Sequence, residues 1–266
     1  MYLNKKKYED GMILKVDKPI GWTSFDIVNK IRNTLKLKKI GHAGTLDPLA
    51  SGLLIVCTGK YTKKIQEYQN FDKEYTGSFI IGKTTPSHDL ETEFISDNSI
   101  KNISEDEIIK TTKTFIGNQN QIPPKFSAIK VNGERAYKKA RNKENVILKP
   151  REVKINKFEI TSINLPKIDF LINCSKGTYI RAIARDYGKK LKVGAFLNEL
   201  KRTKIGNISI KDSMSIDKLS RRDDEVRPPT MRDRSLTECL SRRRAIEVEE
   251  NPESAFKTMN EFSGCF

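Results

Sequence analysis

The chain has 266 residues, 36% hydrophobic and 32% charged, with a formal net charge of +16 and a pI near 9.6. That length carries one large domain or two small ones with a full core. The charge points to an acidic partner, nucleic acid first, because lysines and arginines that neutralise phosphates release condensed counterions. The longest unbroken apolar run, Leu53 to Cys57, is far short of the ~20 residues that cross a bilayer. Lys5, Lys6 and Lys7 are followed by Glu9 and Asp10, not by an apolar signal core, so a cytoplasmic protein without membrane contact is expected.

In chain order, a strand is expected near Ile13 to Val16, then a helix over 24–36 capped by Thr23 or Ser24, with Ile27, Val28, Ile31 and Leu35 on one face. Strands follow at 53–57 and around Tyr75 to Ile81. Ser104 and Glu107 open a helix running to about Phe115. Residues 153–163 and 168–174 read as extended, interrupted by Pro166. Thr178 precedes a helix whose Ile180, Ile183, Ala184, Tyr187 and Leu191 share a face, and a short helix is expected near 195–201. Strands and helices mix without regular alternation, which indicates an α+β domain and not a Rossmann or barrel fold. The four cysteines, Cys57, Cys174, Cys239 and Cys265, form no CxxC pair and speak against zinc or a disulfide framework. Cys57 and Cys174 read as small hydrophobes in strands.

Composition changes after about Leu219: residues 1–219 hold 34 lysines and 7 arginines, the remainder 1 lysine and 8 arginines. Net charge is +17 for residues 1–219 (41 basic, 24 acidic) and −1 for the remainder (9 basic, 10 acidic), so RNA binding is assigned to residues 1–219. Residues 220–266 read as a disordered or poorly packed tail.

The segment GHAGTLDPLASGLLIVCTGK, residues 41–60, surrounds a single acidic residue, Asp47, with glycines, Thr45 and Pro48 just before an apolar strand. Such a loop exposes Asp47 at a strand edge. On its own the pattern also fits an Asx-type turn, with the carboxylate on nearby amides and Pro48 fixing the bend. The run His88, Asp89, Glu91, Glu93 has metal-binding side chains, and extended backbone would put its three carboxylates on one face. With Pro86 beside it and no second histidine cluster, a solvated loop or strand edge is the better reading.

GHAGTLDPLASGLL resembles the TruB family of tRNA pseudouridine synthases. So do VDKPIGWTSFDIV (16–28), DKEYTGSFIIGKTTPSHDLETE (72–93), PPKFSAIKVNGERAYKKAR (123–141), CSKGTYIRAIARDYG (174–188) and LNELKRTKIG (197–206), all in the family's order. The resemblance implies a pseudouridine synthase fold over residues 1–219, with a mixed, mostly antiparallel sheet flanked by helices. No RNA-binding PUA domain is recognisable in 220–266. It implies isomerisation of uridine 55 in the T-loop of tRNA, by a monomer that binds the T-arm stem-loop and needs neither cofactor nor metal. Asp47 matches the family nucleophile, which attacks C6 of the base or C1′ of the ribose. Aspartate is ionised at neutral pH without assistance. Arg181 matches the arginine that pairs with it, and a guanidinium favours the charged form of a neighbouring carboxylate.

Tyr75 matches the tyrosine that stacks on the target base and assists removal of the C5 proton, and His42 a histidine that fills space or contacts RNA when the base leaves its stack. Lys18 and Pro19 match a segment close to the site, and Lys18 is read as a substrate-binding residue. Leu200 matches an apolar wall of the base pocket, and Asp89 an aspartate supporting the Asp47–Arg181 pair. Two other classes are a non-catalytic RNA chaperone using the same basic cleft and an aspartate-based phosphohydrolase. The chain lacks the DxDx[TV] motif of the latter.

Overall fold

The computed structural model describes residues 5–216, 237–243 and 246. Ten strands form one sheet: β1 (Ile13–Lys18), β2 (Ile40–Ala43), β3 (Ser51–Thr58), β4 (Lys73–Ile81), β5 (Gly117–Gln121), β6 (Arg151–Asn164), β7 (Lys167–Cys174), β8 (Ala195–Ile205), β9 (Ile208–Ser209) and β10 (Met214–Ser215). The order is β10-β1-β3-β8-β4-β7-β6-β5, with β2 on β3 and β9 on β8. The pairs β1–β10 and β3–β8 are parallel and the others antiparallel. This is the expected α+β architecture. Among the described residues no helix is long and apolar enough to cross a membrane.

The apolar run in β3 reflects burial on both faces. Leu53, Ile55 and Cys57 pack with Ala43 and Ile205, while Leu54 and Val56 face a helix, α1 (Ser24–Leu35). Thr23 is the cap of α1: its hydroxyl accepts from the Asp26 amide at 3.0 Å, and its own amide donates to Asp26 Oδ2 at 2.8 Å. Ile27, Val28, Ile31 and Leu35 are buried against β1 and β3. Two further helices, α2 (Glu105–Lys113) and α3 (Ile180–Lys190), cover β4, β7 and β6 through a cluster built on Phe79, Phe115, Phe158, Phe170 and Tyr187. Each such apolar side chain contributes ~1.5–3 kcal/mol on full burial. The Tyr187 hydroxyl donates to the Ile108 carbonyl at 2.7 Å, joining α3 to α2.

Residues 195–201 belong to strand β8, not to the short helix expected. The segment pairs with β4 on one side and β3 on the other, and this central position overrides the helical preference of its Leu, Glu and Lys residues. Pro166 occupies the turn between β6 and β7.

The register places one row of residues across five strands. Lys18 faces Gly52, Gly52 faces Arg202, Arg202 faces Tyr75 and Tyr75 faces Ile172. Facing residues share a side of the sheet, here the side covered by both α1 and α3. Gly52 is the gap in this row: with φ at +104°, a Cβ there would lie 2.4 Å from the Arg202 carbonyl oxygen.

Residues 237–243 are helical and pack on the body. Cys239 and Ile246 are buried with Ile80, Leu90 and Phe196, Arg242 Nη1 donates to the Leu90 carbonyl at 2.8 Å, and Arg243 Nη2 donates to the Asn198 carbonyl at 2.6 Å. For these residues the reading as disordered or poorly packed chain does not hold, because Cys239 and Ile246 are buried against the body and Arg242 and Arg243 satisfy its carbonyls. The rest of the tail, and with it the question of a PUA domain, lies outside the described residues.

Candidate active site

The loop joining β2 to β3 lies over the row, with Asp47 at its tip. Three side chains hold its backbone. The Ser24 hydroxyl, at the start of α1, accepts from the Leu46 amide at 2.8 Å and donates to the Leu46 carbonyl at 3.1 Å. Arg202 donates from Nη2 to the Gly44 carbonyl at 3.2 Å, from Nη1 to the Thr45 carbonyl at 3.4 Å and from Nε to the Leu53 carbonyl at 2.7 Å. Lys18 is fully buried and donates to the carbonyls of Trp22 at 2.6 Å, Pro19 at 3.0 Å and Pro48 at 3.4 Å. Pro48 also accepts from the Gly21 amide at 2.9 Å, so the 18–22 segment and the Asp47 loop are tied together. Burial pulls the Lys18 ammonium down to about 7, with Arg202 acting the same way and Asp47 opposing.

On the other side stands Arg181, in the first turn of α3. Its Nε lies 2.9 Å from Asp47 Oδ2 and 3.4 Å from Asp89 Oδ2, and its Nη1 and Nη2 donate to the carbonyls of Ser87 at 3.4 Å and Phe126 at 3.0 Å. The Nε–H makes no hydrogen bond to either carboxylate, so these two contacts are ionic. Arg181 is 4% exposed and Asp89 7%, whereas the Asp47 side chain is 37% exposed. Burial would lower the Arg181 pKa, but Asp47 and Asp89 outweigh it and the value rises. Burial raises the Asp89 carboxyl to about 6, against the opposing pull of Arg181 and Ser87. The Asp89 Oδ1 accepts from the Glu91 amide at 2.9 Å.

Tyr75 faces Arg202 across the β4–β8 pair; burial raises its phenol pKa, and the nearby Arg202 guanidinium opposes that rise. Tyr179, at the α3 cap, is also raised by burial and feels the charges of both Asp47 and Arg181. His42 sits on β2 opposite Val56, half-buried, with Nδ1 enclosed and without a partner; burial, followed by Arg202, lowers its pKa. Leu200 is half-buried on β8 against the same core cluster as Tyr75.

Asp47, Tyr75, Arg181, Asp89, Lys18 and Pro19 are thus brought together, with His42 and Leu200 at the margin. Lys18 does not offer its ammonium to a ligand. It is enclosed and fully used by three carbonyls, which corrects its reading as a substrate-binding residue. The supposed metal run diverges: Asp89 meets Arg181, Glu91 meets Arg141 at 2.6 Å and Glu93 meets Arg242.

Gln121, Tyr179 and Arg202 carry no distinguishing signal in the sequence, and Ser24 reads there only as a helix cap. The Gln121 side chain accepts from the Tyr179 amide at 2.8 Å and donates to its carbonyl at 3.2 Å, fixing the start of α3. For Arg202, the register shifts in β8 at 197/199 and 202/204 break the period of two that would have marked it as inward-facing.

Solved structures share this fold. An archaeal box H/ACA Nop10–Cbf5 complex matches at 26% identity with a TM-score of 0.60, covering 81% of this chain and 54% of that one. An H/ACA ribonucleoprotein bound to a substrate RNA containing 2′-deoxyuridine matches at 27% identity and 0.59, covering 80% and 53%. This chain spans about half the length of those solved chains. The mixed, mostly antiparallel sheet flanked by helices is the fold of a pseudouridine synthase. The model for the N-terminal domain of TruB family pseudouridylate synthases matches residues 32–180. A curated relative named tRNA pseudouridine synthase B, from Flavobacterium johnsoniae, is 50% identical over 221 residues, covering 80% of this chain and 96% of its own. One of the same name from Bacteroides fragilis is 47% identical over 213 residues, covering 78% and 91%. The chain belongs to the TruB family of pseudouridylate synthases, which are intramolecular isomerases.

Proposed function

We propose that this protein is a tRNA pseudouridine-55 synthase, acting as a cytoplasmic monomer on the T-arm stem-loop. The observation that supports it best is the contrast at Asp47: its carboxylate is partly open to solvent while the cation that pairs with it is enclosed. The basic excess suits an RNA substrate, and the relatives' names carry the tRNA specificity.

A base stacked within an RNA loop does not present its glycosidic link to the Asp47 carboxylate, so the nucleotide is flipped out, at a few kcal/mol for unstacking. Stacking on Tyr75 returns ~1–3 kcal/mol of this. His42 fills space or contacts RNA where the base has left, and Leu200 walls the pocket. Asp47 adds as nucleophile to C6 of the base or C1′ of the ribose. The N1–C1′ bond breaks, the ring turns, and C5 bonds to C1′. Tyr75 helps remove the C5 proton, N1 is protonated, and Asp47 leaves unchanged. Arg181, itself braced by Asp89, keeps the carboxylate oriented throughout. Affinity rests on phosphates and loop shape.

The direct test is incubation with an unmodified tRNA transcript followed by chemical mapping of pseudouridine. One modification at position 55 is expected, and none in a transcript with cytidine there. Remodelling of the RNA without any isomerised base would instead favour a chaperone.

A further inference from the structure

Among the described residues Arg202 belongs to no charge pair, yet it is among the most deeply buried side chains, 1% exposed. A guanidinium at such depth needs its donors satisfied, and all three of its nitrogens reach specific carbonyls. Nε goes to the Leu53 carbonyl of β3, Nη2 and Nη1 go to the Gly44 and Thr45 carbonyls of the Asp47 loop, and Tyr75 lies directly across the β4–β8 pair from the same side chain. Its backbone faces Gly52 on one side and Tyr75 on the other. The strand carrying Arg202 comes so close to Gly52 that no side chain fits between them.

We propose that Arg202 is a positioning residue of this active site, a single planar fork that sets the nucleophile loop and the Tyr75 ring in one frame. The two groups that must meet opposite sides of the everted base come from different elements, a loop after β2 and the middle of β4. Among the described residues no other side chain of the site is placed against both: Ser24 and Lys18 bond the loop but not Tyr75, and Arg181 meets the carboxylate but not Tyr75. Arginine is required for its geometry. Its five donors point in fixed directions within a plane, whereas a lysine ammonium offers three donors from one point and cannot span the Leu53, Gly44 and Thr45 carbonyls together.

The inference rests on the reading of Asp47 and Tyr75 as the reacting groups, so its test includes measurements that need no RNA. In full-length protein labelled at tyrosine Cζ, the Tyr75 resonance, assigned by its loss in Tyr75→Phe, is expected to shift in Arg202→Lys. Amide exchange at 44–47 is expected to accelerate in both variants. In single-turnover assays, Arg202→Lys is expected to lose on the order of 100-fold in rate, as for a misplacement of about 1 Å, with tRNA affinity unchanged. The double variant is expected to lose less than the product of the two single losses. An unshifted Tyr75 resonance with unaltered exchange would overturn the assignment, and so would a wild-type turnover rate. If Arg202→Lys does not fold, exchange at 44–47 in Tyr75→Phe decides, since that variant keeps the ring and removes only the hydroxyl; unchanged exchange there overturns the proposal. Absence of pseudouridine formation by the wild-type protein would instead sink the functional reading, with the resonance and exchange measurements still deciding on Arg202.

Discussion

On the β1–β8 side the Asp47 loop meets Lys18, Ser24 and Arg202, whose hydrogen bonds go to main-chain groups of the loop and its neighbours. On the α3 side it meets Arg181, which reaches past the backbone to the Asp47 carboxylate and to a second carboxylate, Asp89. The first side fixes where the chain runs, and its acceptors do not titrate. The second fixes where the charge sits, and its strength depends on which carboxyls are ionised. Substitutions on the two sides should therefore fail differently, one in geometry and the other in pH response.

The largest effect is expected on the charged side. Arg181→Met leaves two carboxylates facing each other without their cation, which should reduce single-turnover rate on the order of 100- to 1000-fold and destabilise the fold by ~3–5 kcal/mol. Rate measurements on folded protein, alongside denaturant titration, separate the two consequences. Tyr75→Ala comes next, with a loss of about 10- to 100-fold, as the removal of one base–aromatic stack implies; near-normal single-turnover kinetics would remove Tyr75 from the pocket.

Asp89 sharpens the comparison through pH. Its folded-state value of about 6 lies above that of an unfolded aspartate, so between ~4 and 6 the folded protein holds a proton the unfolded chain has released. Its stabilising contribution is therefore greatest below this window and is lost as pH rises through it. Asp89→Asn should flatten the dependence of Tm on pH there. The wild-type rate should rise across the same range as Asp89 ionises and secures Arg181, and Asp89→Asn should lose that rise. A variant that kept the wild-type pH profile would assign the transition to another group.

The smallest effect on binding is expected from the opposite side. Lys18→Met strips a donor from the carbonyls of Pro19, Trp22 and Pro48, so Tm and turnover should fall while tRNA affinity and its salt slope stay unchanged. A slope reduced by about one unit would instead mean that the ammonium touches phosphate.

Sequence patterning carried most of the fold because the core elements obey simple periods. Ile27, Val28, Ile31 and Leu35 bury one face of α1, and Leu53 to Cys57 fill a strand enclosed on both sides. It failed at 195–201, where the strand exists only because β3 and β4 flank it, a non-local fact that no local window contains. The Asp47 loop was legible from its glycines and Pro48, and the partners of Asp47 from the family resemblance. The supports were not. Ser24 reads as a cap candidate, yet Thr23 caps the helix and Ser24 turns inward to Leu46. Lys18 continues the inward parity of Leu14 and Val16 on β1, a charge at an apolar position that does signal an enclosed, fully partnered cation.

The central claim is that the Asp47 carboxylate performs the isomerisation while the rest of the site binds RNA and holds that group in place. Asp47→Asn keeps the side-chain shape and removes the charge, so single-turnover reaction with T-arm RNA, paired with a binding titration, tests it most directly. The variant should bind RNA like the wild type and form no pseudouridine. Modification by the purified variant at the wild-type rate would contradict the account.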